Sequence, residues 1–127
     1  MTPTAIILIV DDNEYSLQFY EALMQEHNHT VIKARNGIEA LDRFQKCPPD
    51  LVIVDLMMPG LNGLELCRRL RCSPHGNHVP ILAVSGLNDE QTRASALRSG
   101  ATDFLGKPFQ SAEFTRRIQA LLQPPAR

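Results

Sequence analysis

The chain is predicted to fold as a doubly wound α/β domain, a five-stranded parallel sheet with helices on both faces. Three observations predict it. Short strand-like segments alternate five times with stretches of helical periodicity, without an internal sequence repeat. Three of these segments, Ala5 to Val10, Leu51 to Val54 and Pro80 to Val84, are continuously apolar, as strands buried on both faces require. Polar residues gather at their C-terminal tips, where open α/β sheets place a ligand crevice.

Each element can be justified in order. Ala5 to Val10 is the first strand, ending at Asp11 and Asp12. Asn13 can cap the first helix, with Glu14 in its first turn and Leu17, Tyr20, Leu23 and Met24 at helical spacing. Thr30 to Ala34 reads as the second strand. Asn36-Gly37 marks a turn before a second helix with Ile38, Leu41 and Phe44 on one face. Pro48-Pro49 ends that helix, and Leu51 to Val54 forms a third strand leading to Asp55. Pro59-Gly60 and Asn62-Gly63 read as a loop, and Leu64, Cys67 and Leu70 carry the third helix.

Ser73 to His78 is a polar, turn-rich connection into a fourth strand, Pro80 to Val84, with Ser85-Gly86 at its tip. Asn88 and Asp89 open the fourth helix, and Ser99-Gly100 close it in the manner of a glycine C-cap. This helix is the least apolar, offering Ala94, Ala96 and Leu97. Asp103 to Lys107 is a short fifth strand stopped by Pro108. Ser111 can cap the last helix, whose stripe is Phe114, Ile118, Leu121 and Leu122.

Composition excludes several classes. At 127 residues the chain is the size of one domain, with residues 1–123 as the domain and 124–127 as a tail or the start of a linker. A hydrophobic content of 43% is ordinary for a folded protein. The net charge of -1 gives no field strong enough to argue for nucleic acid or anionic lipid, and neither direct nucleic-acid binding nor a membrane partner is expected. The apolar run at the start is too short to span a bilayer and lacks a basic leader, so neither a membrane segment nor a signal peptide is expected.

The odd cysteine count (Cys47, Cys67, Cys72) has no metal-type spacing. Cys47 and Cys67 fall on helical faces and read as core residues of a reduced, cytoplasmic protein. The histidines His27, His29, His75 and His78 read as surface or turn residues. Arg68, Arg69 and Arg71, with Arg116 and Arg117, read as solvated helix faces, without the features of a nucleic-acid module.

Asp11, Asp12, Asp55, Ser85 and Lys107 therefore lie at the C-terminal ends of strands one, three, four and five. One Asp after a strand is a common cap. Three at matching positions suggest a cluster held by a hard cation such as Mg2+. With a hydroxyl and an ammonium beside them, the set suits phosphoryl chemistry, in which a carboxylate can be the nucleophile.

The segments Ile9-Val10-Asp11-Asp12-Asn13, Val54-Asp55-Leu56-Met57-Met58-Pro59-Gly60, Val84-Ser85-Gly86 and Gly106-Lys107-Pro108-Phe109 resemble, in order and spacing, the receiver domain of two-component response regulators. The resemblance covers residues 5 to 123. It implies a flavodoxin-like strand order 2-1-3-4-5. It also implies that Asp55 accepts a phosphoryl group from a phosphohistidine on a sensor histidine kinase or histidine phosphotransfer protein. Asp12 and Asp55 would ligate Mg2+ directly, Asp11 through water, and the Met57 backbone carbonyl would complete the protein ligands.

By the same resemblance Lys107 would pair with the phosphoryl group, and Ser85 would move to hydrogen-bond it. Phe104 would be the switch aromatic, unless it simply packs. Lys107-Pro108 would carry a cis peptide, which costs only ~0.5–1 kcal/mol before proline. The fourth helix, fifth strand and fifth helix would form the face for an effector domain or a homodimer partner. On this reading the chain is a phosphoacceptor regulatory domain, not an enzyme in its own right.

Met57 and Leu87, two residues beyond Asp55 and Ser85, offer no strong hydrogen bond to an attacking water, which implies slow self-dephosphorylation. Two rival readings come from other classes. An aspartate-nucleophile phosphatase would want a second Asp two residues after the nucleophile, but Met57 stands there after Asp55 and Asn13 after Asp11. A phosphorylation-independent pseudo-receiver would not need the full set of five site residues.

Overall fold

The computed structural model describes residues 4–58 and 62–123. The strands β1 (Ile6–Val10), β2 (Thr30–Ala34), β3 (Leu51–Asp55), β4 (Ile81–Ser85) and β5 (Asp103–Gly106) alternate with the helices α1 (Glu14–Glu26), α2 (Gly37–Lys46), α3 (Gly63–Cys72), α4 (Glu90–Arg98) and α5 (Ser111–Leu122). All pairings are parallel, in the expected order β2-β1-β3-β4-β5. Pro59, Gly60 and the 124–127 tail lie outside the described residues.

The continuous apolar runs bury on both faces because successive side chains point to opposite sides of a strand. Leu8, Val10, Val52, Val54, Ile81 and Ala83 pack with Phe44, Leu66, Leu70 and Ala96 from α2, α3 and α4. Ile7, Ile9, Ile53, Leu82 and Val84 pack on the opposite side with Leu17, Tyr20 and Met24 of α1 and Phe114 and Ile118 of α5. No helix among the described residues is long and apolar enough to cross a membrane.

Helix starts are set by short polar side chains. Asn13, Asn36, Asn62 and Asp89 each accept a bond from the N–H three residues on, at 3.0, 2.8, 2.9 and 2.7 Å respectively. Asn36-Gly37 and Asn62-Gly63 are thus caps followed by the first helical residue, rather than free turns. Gly63 is needed there, since a Cβ would lie 2.6 Å from Leu56 Cα and 2.7 Å from Asp55 O. At the end of α4, Gly100 (φ +117°) donates to Leu97 O and Ala101 to Ala96 O, the paired bonds of a Schellman cap. Ser111 does not cap α5. The extended cap residue is Gln110, with no side-chain bond, and Ser111 already lies within the helix.

Three further expectations are corrected. On α2, Phe44 is buried and Leu41 packs half-buried against the same core, as expected, with Gly37 and Ala40 buried beside them. Ile38 is exposed, because the inward stripe at the start of the helix runs through Gly37. Cys47 is exposed because it sits past the last turn of α2, whereas Cys67 is buried. His29 is buried, not superficial: its Nδ1 accepts the Ala5 N–H at 3.0 Å and so ties the α1–β2 turn to the start of β1.

Two arginines also depart from the solvated reading. Arg71 spans the two connections that lead into β4 and β5, donating to the carbonyls of Gly76, Val79 and Gly100 and to Thr102 Oγ1. Arg117 pairs with Asp103 at 3.0 Å and donates to Phe104 O. Neither role is visible in one dimension, because the acceptors come from other elements.

Candidate functional site

The register that pairs Val10 with Val54 makes Asp11 and Asp55 leave neighbouring strands at the same height. This is where the chain order reverses within the sheet, and the crevice opens beyond the carboxyl ends. Asp11 and Asp55 are buried, Asp12 is exposed, and ligand oxygens from all three lie within 4.8 Å of one another. Sequence reasoning placed these acids together, and the fold does so.

Each buried carboxylate is half satisfied by local backbone. Asp11 Oδ1 accepts the Asn13 N–H at 2.9 Å, and Asp55 Oδ1 accepts the Met57 N–H at 3.0 Å. Both Oδ2 atoms stand 3.9 Å from Lys107 Nζ, beyond hydrogen-bond length. Asp11 Oδ2 is buried with no hydrogen-bond partner among the described residues. Burial pushes Asp11 up to about 6, opposed by the Asn13 N–H and reinforced by the Asp55 charge. A buried, orphaned oxygen amid three carboxylates fits a hard divalent cation with oxygen ligands.

The other members arrive from β4 and β5. Ser85 is fully buried at the tip of β4, and its Oγ accepts the Leu87 N–H at 3.0 Å. Its carbonyl accepts the Lys107 N–H at 2.8 Å, joining the two strand ends. The Lys107–Pro108 peptide is cis. Phe104 is buried on the sheet face covered by α2, α3 and α4, so its ring is already inward here. Met57 and Leu87 are exposed, at 56% and 50%.

Sequence reasoning missed Tyr20 as a neighbour of the site. It reads as one residue of the α1 stripe, and it is buried. Burial raises its phenol well above the ordinary range, and the charges of Asp11 and Asp55 add to the effect, which marks proximity to the acids. Apolar periodicity gives no sign of that. Beside Lys107, Tyr15, Phe19, Pro108 and Phe109 form an apolar surface.

Fold and site together define a doubly wound α/β domain with an acid cluster, a lysine and a buried hydroxyl at its switch point. The chain belongs to the response regulator receiver domain family of two-component systems, whose family model matches residues 7–119. Receiver domains are regulatory.

The chain is 35% identical over 118 residues to the response regulator PleD of Caulobacter vibrioides, covering 93% of this chain and 26% of PleD. It is 38% identical over 117 residues to the response regulator MprA of Mycobacterium sp. (strain KMS), covering 92% of this chain and 50% of MprA. It thus spans half or less of the length of these relatives. Among solved structures it resembles the receiver domain of sensor histidine kinase PA1611 of Pseudomonas aeruginosa, with a TM-score of 0.86 and 29% identity, covering 94% of this chain and 98% of that one. That protein has a magnesium ion coordinated in its active-site cleft.

Proposed function

We propose that Asp55 is the phosphoacceptor of a signalling switch, charged by a phosphohistidine on a sensor histidine kinase or histidine phosphotransfer protein. The observation that carries this reading is the convergence on Asp55 of Lys107, whose Nζ stands 3.9 Å from Oδ2, and of the Asp11 and Asp12 carboxylates, with one oxygen of each of the three acids within 4.8 Å of the others. A carboxylate oxygen of Asp55 attacks phosphorus in line; the P–N bond to imidazole breaks as the P–O bond forms. Asp12, Asp55 and the Met57 backbone carbonyl would hold Mg2+ directly, and Asp11 through water. When bound there, the ion would supply positive charge to neutralise the phosphoryl oxygens.

Lys107 pairs with a phosphoryl oxygen, and the Ser85 hydroxyl leaves Leu87 to hydrogen-bond another. That movement changes the α4–β5–α5 face, with Phe104 beneath it, which an effector domain or a second copy reads. The exposed Tyr15 and Phe19 beside Lys107 offer the donor protein an apolar approach surface.

Incubation with Mg2+ and a small phosphodonor tests the reading. It requires an acid-stable, base-labile adduct on Asp55 that Asp55→Asn does not form. Absence of any adduct favours the phosphorylation-independent interaction module instead. Many turnovers on small phosphomonoesters would favour the phosphatase, against which Met57 stands where an acid/base Asp is needed.

A further inference from the structure

We propose that Met57 is an oxidation-sensitive modification site, whose conversion to the sulfoxide shortens the life of the phosphoryl group on Asp55. The inference rests on the phosphoacceptor reading. Of the methionines among the described residues, Met24 and Met58 are buried at 0% and 6% exposure, whereas Met57 is 56% exposed. An oxidant in solution therefore reaches one thioether and is kept from two others.

The same residue is tied to the acceptor, since its backbone N–H donates to Asp55 Oδ1 at 3.0 Å. Its side chain lies with Leu56, Leu64 and Leu87 along a groove of about 320 Å³ between the starts of α3 and α4. Leu87, the other exposed apolar residue at this rim, has no oxidisable atom.

The step is an oxygen transfer from a peroxide. A sulfur lone pair attacks one peroxide oxygen, and the S–O bond forms as the O–O bond breaks. The departing hydroxide takes the proton of the transferred oxygen and leaves as water. Sulfur loses two electrons and the peroxide gains them. The product replaces a weak acceptor with a polar sulfoxide oxygen.

Hydrolysis of the acyl phosphate needs a water held in line with the breaking P–O bond. In the reduced protein neither Met57 nor Leu87 offers that water a strong hydrogen bond. The sulfoxide supplies an acceptor at this rim. The expected acceleration is roughly two- to tenfold, the change one neutral hydrogen bond makes.

The test treats the domain with hydrogen peroxide, restores its thiols with dithiothreitol and maps methionine oxidation by mass spectrometry. Loss of label is then timed after loading from a small phosphodonor with Mg2+. Met57 sulfoxide should form ahead of Met24 and Met58, decay should accelerate, and sulfoxide reductases for both epimers should restore the original rate. Met57→Leu, compared with its own untreated sample, should not respond to peroxide.

Equal decay before and after oxidation overturns the proposal. So does first oxidation at Met24 or Met58, or an equal acceleration in Met57→Leu. A domain that takes no label even before oxidation removes the phosphoacceptor reading, and this inference with it, which keeps the two failures distinct.

Discussion

The hydroxyl of Ser85 accepts the backbone N–H of Leu87 at 3.0 Å, while the Ser85 carbonyl accepts the N–H of Lys107 at 2.8 Å. One buried residue thus ties the β4–α4 turn to the end of β5. As an acceptor toward Leu87, the hydroxyl keeps its own proton free to donate to a phosphoryl oxygen. Drawing it away releases the turn that leads into α4.

Ser85→Ala should leave Asp55 able to take the phosphoryl group while uncoupling the output face. Loss of the turn bond costs about 1 kcal/mol of stability. Hydrogen exchange of α4, β5 and α5 with and without a phosphoryl mimic checks it. A response equal to that of the unmodified protein would sink the coupling.

Asp11 places a raised carboxylate in the core of the site, and the sign of its effect on stability is fixed. The folded state holds the Asp11 proton up to about pH 6, against 3.8 for the ordinary group. Its favourable contribution is therefore complete below pH 3.8 and lost as pH rises through about 6. In the absence of metal, Asp11→Asn should be more stable at pH 7 by on the order of 1–3 kcal/mol, with the gap closing in acid. Denaturant melts across pH measure this; a less stable variant at neutral pH would contradict it. Added Mg2+ should narrow the difference.

His29 acts in the opposite sense. Burial, with His27 nearby, lowers its basicity below the ordinary 6.5, and Nδ1 must stay unprotonated to accept from Ala5. That stability is present above pH 6.5 and declines as pH falls toward the lower folded value. His29→Asn should flatten this part of the acid limb, and parallel pH–stability curves for the two proteins would rule the assignment out.

Arg71 holds three carbonyls and a hydroxyl from separate loops. Arg71→Ala should cost more than about 3 kcal/mol, since those acceptors lose their donor together. Arg71→Lys should recover little, because an ammonium cannot reproduce the planar fork. At low temperature the Ala variant should still form the Asp55 adduct, the site being at the other end of the sheet.

The two exposed apolar residues at the rim imply a long-lived phosphoryl group. Leu87→Gln, which offers the water a hydrogen-bonding side chain, should speed decay roughly two- to tenfold. Decay of the unmodified domain within a few seconds would refute the slow reading.

The order of elements, the double covering of the central strands and the gathering of Asp11, Asp12, Asp55, Ser85 and Lys107 at one end of the sheet were legible in one dimension. Continuous apolar runs of about five residues, bounded by turn signals and alternating with helical periodicity, read as doubly covered strands, and the polar exceptions fall at their tips. Asn13 and Gly100 announced their caps in the same way, because capping is local chemistry. What tertiary structure alone decided depends on partners distant in sequence. Arg71 and Arg117 look like exposed helix charges until Gly100, Val79 and Asp103 are brought beneath them. His29 looks like a turn residue until Ala5 arrives beside it. Tyr20 looks like core packing until β1 and β3 set Asp11 and Asp55 near its ring. Periodicity determines which side of an element is buried, but the strand register determines which polar atoms meet there.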